Sequence, residues 1–320
     1  MKKFMKACAI IALVLVLTGL ILGIVGSTTK GSSAISRVVE NVTGGKVKIG
    51  TKPWDWGITV SDGFFDSLDE VDYDIKDSVN FDSNYPVMSG DVDKYSPEGT
   101  VTNLEIEAGG CYFRVEESGD DCFYVEAKNV GKFQAFTEDG TLYIMTTTGS
   151  KHWSEISGSK IILYVPANYC FDKIKINLGA GALEFSDLRA EDAVLEVGAG
   201  QIEADGAEVK SLDMNVGMGR IELTHMNVTD LMAEVGMGEL VAKGTVNGDI
   251  DAECSMGNLE LQITGRQEDF NYELSGAMGS LTLGGESYSG FSQEKSIDNG
   301  AQKKMELDCS MGNVTVLFEK

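Results

Sequence analysis

The chain has 320 residues, with 50 Asp and Glu against 26 Lys and Arg and a formal net charge of −24. Such a surface repels the phosphates of nucleic acid and anionic headgroups. That excludes a nucleic-acid partner and leaves cations, basic partners or plain solubility as its uses. With 38 glycines, only 4 prolines and 42% hydrophobic residues, the chain can make many tight turns around a filled core.

The first predicted element is a membrane segment. Lys2, Lys3 and Lys6 precede a run without charge from Ala7 to Thr29. About 20 apolar residues cross a bilayer as a helix, whereas the apolar region of a signal peptide is about 7–15 residues. The length therefore predicts an N-terminal transmembrane helix within residues 1–30. The lysines hold the N-terminus inside, which makes this a single-pass plasma-membrane protein with an extracytoplasmic C-terminal domain. Val25–Ser27 has the small residues of a cleavage site, so a removed signal peptide stays open as the alternative. Cys8 lies too early for a lipid-attachment cysteine.

Residues 31–98 read as an acidic juxtamembrane stalk, with a short helix at Ser33–Asn41. From Asp62 to Glu98, eleven acids stand against Lys76 and Lys94. The stretch DYDIKD, Asp72–Asp77, spaces its carboxylates like a calcium loop but lacks the sixth-position glycine and the closing glutamate. A solvated segment accounts for it better. Calcium is the one cofactor with any pattern here; no other is expected.

From Thr100 the pattern is β. Leu104, Ile106 and Ala108 alternate with polar residues, as do Phe113 and Val115; GTLYIMT and KIILYVP are β-branched and aromatic runs. Cys111 and Cys122 flank Ser118-Gly119 and would meet across a hairpin there, although pairing cannot be read from spacing alone.

A repeat then takes over. LGAG ends at Gly181, VGAG at Gly200, VGMG at Gly219 and at Gly238, and CSMG at Gly257, each step being 19 residues. Looser copies end at Gly279 and Gly312, with Gly284–Lys304 as a loop between them. Counted from the second glycine, four columns are apolar. Position −5 holds Ile176, Leu195 and Met214; −3 holds Leu178, Val197, Val216, Val235, Cys254 and Cys309. Position +2 holds Leu183, Ile202, Ile221, Leu240 and Leu259; +4 holds Phe185, Ala204, Leu223, Ala242 and Leu261. A fixed period of this length predicts an all-β fold over residues 99–320: a parallel β-solenoid, or single-stranded β-helix, of about 19-residue coils whose apolar columns stack inward. The apolar phase slips across G-x-G, which predicts a corner there that exploits glycine's backbone freedom. Counted by parity from the preceding strand, the middle column of Ala180, Ala199, Met218, Met237, Met256, Met278 and Met311 points inward.

The segment KIILYVPANYCFDKIKINLGAGALEFSDL, Lys160 to Leu188, followed by repeated G-x-G strands, resembles the DUF4097 domain of bacterial proteins, whose members often carry the label of adhesin. The likeness runs from about Thr100 to Lys320. It implies a right-handed, β-helical, surface-exposed domain, commonly behind a short N-terminal anchor, and it brings no catalytic residues. Some members sit near envelope-stress signalling systems.

No chemistry-bearing motif stands out. A phosphate loop needs G-x-G-x-x-G opening a helix, and here a strand follows each copy. The only histidines, His152 and His225, lack partner motifs, so no catalytic residue is assigned. Cys254 and Cys309 share a column with valines and read as small buried hydrophobes, kept apart by an intervening coil. The carboxylates form two outward columns: Glu184, Glu203, Glu222 and Glu260 at +3, and Glu196, Glu234 and Glu253 at −4. Like charges about 4.8 Å apart repel, and solvent, cations or a basic partner relieve them. Paired carboxylates also serve polysaccharide hydrolases, but a regular ladder lacks the local asymmetry of an active site. The resulting expectation is non-enzymatic adhesion, scaffolding or envelope-associated binding to a cell-wall polymer or surface protein, through the outer faces and the Gly284–Lys304 loop. Envelope-stress signalling is the alternative.

Overall fold

A computed structural model of the chain describes residues 47–50, 57–60, 79, 81–147, 159–289 and 295–319. Met1–Ile75 and Lys76–Lys320 are two separate compact units. In the first, β1 (Val47–Gly50) and β2 (Gly57–Val60) pair antiparallel, with Val47 opposite Val60. The expected transmembrane segment at 1–30, the short helix at Ser33–Asn41 and the DYDIKD stretch lie outside the described residues. Among the described residues no helix is long and apolar enough to cross a membrane.

The second unit begins with β3 (Met88–Tyr95), inside the stretch read as stalk. β4 (Asn103–Glu117), β5 (Tyr124–Glu138), β6 (Thr141–Thr147) and β7 (Lys160–Val165) follow. The repeats are built on β8 (Phe171–Val197), β9 (Gln201–Val216) and β10 (Arg220–Val235). After them come the shorter β11 (Glu239–Val246), β12 (Ile250–Cys254) and β13 (Asn258–Thr264). The chain ends with β14 (Phe270–Gly276), β15 (Ser280–Leu283), β16 (Glu286–Ser289), β17 (Lys295–Ile297), β18 (Lys303–Cys309) and β19 (Asn313–Glu319).

The fold is all-β, and the expected parallel β-solenoid behind a transmembrane helix is corrected on three points. First, β3–β19 join in one closed sheet rather than an open column of coils. Second, both ends are antiparallel: β5 runs against β3, β6 and β7, while β16 and β17 fold back on β15 and β14. Third, the repeats do not stack in chain order. β12 pairs with β18, Cys254 opposite Cys309, and β14 pairs with the far side of β18; β19 likewise lies between β13 and β15. The last copy is thus inserted before the penultimate one. The Gly284–Lys304 segment supplies the return path, and its described parts cover the exposed ladder edges of β14 and β15, where unpaired N–H and C=O groups would otherwise invite association.

The 19-residue step survives as in-register parallel pairing: Ile202 stacks on Leu183, Ile221 on Ile202 and Leu240 on Ile221. All four apolar columns are buried, with Ile176, Leu195, Met214, Leu183, Ile202 and Ile221 fully inaccessible. A third inward face, formed by Leu188, Ala190, Ala207, Val209, Met226 and Val228, is also buried. It follows a second corner where Asp187 (φ 55°), Gly206 (φ 88°) and His225 (φ 53°) take left-handed backbone angles.

Of the repeated second glycines only Gly181 takes a left-handed angle (φ 103°); the others answer a different need. Gly238 is not among the left-handed residues. A Cβ there would lie 2.1 Å from the Gly219 carbonyl oxygen and 2.6 Å from Val216 Cγ1. Adjacent rungs therefore approach too closely for any side chain, and the −3 residue of one rung occupies the space beside the glycine of the next.

Candidate functional site

The ladder register brings the predicted glutamates into two outward columns. In the first, Glu184 pairs with Glu203, Glu203 with Glu222, and Val241 separates Glu222 from Glu260. In the second, the order is Glu196, Asn215, Glu234, Glu253 and Asp308. The two columns differ in what surrounds them.

Each carboxylate of the first column is already engaged. Glu184 accepts hydrogen bonds from Tyr112 Oη and Arg114 Nη2, both at 2.6 Å. The Tyr112 hydroxyl, followed by the guanidinium, holds the Glu184 carboxyl below the ordinary carboxylate range. Gln201 Nε2 donates to Glu203 at 2.5 Å, and Gln262 Nε2 donates to Glu260 at 2.6 Å. Arg220 bridges two rungs, donating to Glu222 at 2.7 Å and to Glu239 at 2.8 Å. These capping residues were not singled out in the sequence. Gln201 and Gln262 stand two places along the strand from their glutamates, which puts them on the same outward face.

The second column is barer. Asn177 Nδ2 donates to Glu196 at 3.2 Å. Among the described residues, no hydrogen bond or ion pair joins Glu234 or Glu253 to another group, although the two stand opposite each other in adjacent strands. The column walls a shallow furrow of about 410 Å³ that runs across the rungs, floored by Gly198, Gly217 and Gly236. The floor amides are spent within the ladder: Gly217 N donates to Val197 O and Gly236 N to Val216 O, both at 2.8 Å. What the furrow offers a ligand is therefore carboxylate and amide side chains along one wall.

The corner residues correct a second expectation. The middle column of G-x-G points outward. Met218, Met237 and Met256 are 51–52% exposed, Met311 is 53% and Met278 is 77%. The phase slip falls at the first glycine, so the residue after it follows the parity of the downstream strand: Met218 points out, as Arg220 does, and Ile221 points in.

The remaining candidates come apart. His225 sits exposed at the second corner, its Nδ1 2.5 Å from Asp205 Oδ1. The hydrogen bond from His225, and then that from Thr224, lowers the Asp205 carboxyl. His152 lies outside the described residues. Cys111 is buried, and desolvation pushes its thiol up to about 12; Cys122 is exposed, and both are free. Cys254 and Cys309 are buried thiols on adjacent strands, not separated by a coil as the repeat order implied. Among the described residues no group of three His, Cys, Asp or Glu is placed to hold a metal ion.

Comparison with known proteins gives a family and several distant folds. Residues 101–317 match the family described as Toastrack DUF4097. No curated protein matches. A candidate adhesin from Bacteroides fragilis shares 13% identity at a TM-score of 0.43, covering 72% of this chain and 97% of that one. A candidate cell adhesion protein from Clostridium sporogenes shares 11% at 0.28, covering 73% and 100%. A candidate adhesin from Parabacteroides distasonis shares 14% at 0.35, covering 74% and 95%. All three are named for adhesion rather than for an enzymatic activity.

Proposed function

The chain belongs to the Toastrack DUF4097 family, and on that premise we propose that it is a non-enzymatic binding protein of the cell surface, acting in adhesion or envelope-associated scaffolding. It is held by its N-terminal apolar segment and engages its partner along the acidic furrow. The observation that carries this reading is the contrast between the two glutamate columns. One is capped by Arg220, Gln201, Gln262 and Tyr112. The other leaves Glu234 and Glu253 facing each other without a partner among the described residues, beside a furrow that continues from rung to rung.

Two carboxylates about 5 Å apart repel by roughly 1 kcal/mol at high dielectric. A ligand bearing positive charge relieves that repulsion on binding. The open, extended shape suits a linear segment of polymer or a flat protein face better than a small enclosed substrate. Its recognition would rest on charge and would weaken with salt.

The test is retention of the purified full chain by cell-wall fractions and surface proteins at low and physiological ionic strength. Salt-sensitive retention of the wild type, reduced by Glu234→Gln with Glu253→Gln, is the expected result. Equal retention of both forms at both salt concentrations would remove the furrow from the account.

A further inference from the structure

Five of the six exposed methionines among the described residues form a single file whose order is set by backbone hydrogen bonds; the sixth, Met232, lies apart on β10 between Asp213 and Asp251. Met237 N donates to Gly217 O and Met256 N to Gly236 O. Met311 N then donates to Ser255 O and Met278 N to Ser310 O. With Met218 N on Gly198 O, the file runs Met218, Met237, Met256, Met311, Met278 along one corner. Buried methionines such as Met214, Met226 and Met305 fill the core; these five fill nothing.

We propose that this file is a binding site for a soft monovalent cation, Cu(I) or Ag(I), held between thioethers of adjacent rungs. Thioether sulfur selects soft ions over the hard or borderline cations that carboxylate and imidazole prefer. The geometry suits two-coordinate binding. A zinc–sulfur bond is about 2.3 Å; bonds from Cu(I) or the larger Ag(I) to thioether sulfur are about as long or somewhat longer, so a linear S–metal–S unit spans about 4.6–5 Å, close to the spacing of about 4.8 Å between neighbouring strands. Three rotatable bonds let each side chain absorb the small difference.

The surroundings favour an ion over an apolar partner. The file is one residue wide. Gly198, Gly217 and Gly236 flank it on one side, with Gly200, Gly219 and Gly238 on the other. Beyond those tracks stand Glu196, Glu234 and Glu253 on one side and Arg220 and Glu239 on the other. An apolar docking face needs breadth that this strip lacks. The unpaired glutamates instead supply a negative potential that draws a cation to neutral sulfur ligands. This inference does not rest on the partner proposed for the furrow, and the two can fail separately.

The test uses the full chain carrying methyl-labelled methionine, with solvent-reachable thiols alkylated beforehand, titrated with Ag(I) alone. Cys122 and Cys170 are the exposed thiols among the described residues. The methyl resonances of Met218, Met237, Met256, Met311 and Met278 are expected to shift, while those of Met214, Met226 and Met305 stay in place. The variant Met237→Leu with Met256→Leu and Met311→Leu keeps apolar side chains of similar volume and is expected to bind Ag(I) at least about tenfold more weakly. Ridge methyls that do not move with silver in excess overturn the proposal without need of any variant. So does a folded triple variant that binds silver as the wild type does.

Discussion

Replacing Gly238 by alanine sets a methyl carbon 2.1 Å from the Gly219 carbonyl oxygen and 2.6 Å from Val216 Cγ1. Neither contact can be relieved by a side-chain rotation at position 238, because the nearer atom belongs to the backbone of the adjoining rung. The rungs must separate locally. That weakens the hydrogen bonds Glu239 N to Gly219 O, at 3.0 Å, and Gly238 N to Gly217 O, at 3.1 Å. Each is worth about 1 kcal/mol net, and overpacking against the valine adds about 1–3 kcal/mol. Alanine returns about 0.4–1 kcal/mol by restricting the unfolded chain. The balance is a loss of about 3 kcal/mol, or about 6–12 °C in Tm for a unit of this size. Gly119→Ala is the control: nothing lies within 4 Å of its Cβ position, so only the gain should remain. Urea unfolding and thermal melting of the two variants beside wild type decide the matter. If Gly238→Ala melts with the wild type, the close approach of neighbouring rungs is refuted.

Ile221 is fully buried between Ile202 and Leu240, and Ile221→Asp should cost several kcal/mol by stranding a carboxylate in the core; a melting curve like that of wild type would refute the inward column. Under mild peroxide, the ridge methionines, from Met218 to Met278, should become sulfoxides before Met214, Met226 and Met305, because thioether oxidation follows exposure; peptide mass spectrometry over time reads the order. The Glu184 carboxyl is lowered by Tyr112 and then Arg114, so its stabilisation is present above the ordinary carboxylate pKa and is lost as pH falls through the lowered folded value. Glu184→Gln should therefore flatten the acid limb of the stability profile, by less than about 1 kcal/mol because the pair is partly exposed; an unchanged acid limb would remove the pair from the account.

The apolar columns were legible because a strand alternates and the period is fixed, so Ile202, Ile221 and Leu240 could be superposed by counting alone. The methionine file was not, since parity can be counted from either side of a phase slip, and the slip falls at the first glycine of G-x-G. The glycine requirement was assigned to backbone angle, whereas at Gly238 it is contact with the next rung; a neighbour 19 residues away in sequence leaves no local trace. The strand order escaped for a related reason. Spacing reports how far apart two copies lie in the chain, not which surface the later one joins. The identical CSMG tetrapeptides ending at Gly257 and Gly312, now side by side through Cys254 and Cys309, were the available signal. The glutamate columns were found, but their inequality depends on which neighbours reach them, and Arg220 reaches across two rungs.

In the proposed function the second acidic column, in which Glu234 and Glu253 have no hydrogen-bond or ion-pair partner among the described residues, makes the contact that matters. Cells carrying the full chain with Glu196→Gln, Glu234→Gln and Glu253→Gln should lose most of their attachment to the wild type's target surface, while Glu203→Gln with Glu260→Gln leaves it near wild type. Undiminished attachment by the first variant, at equal surface abundance and with an altered response to wall-active stress, would contradict the account and move the protein to a signalling role.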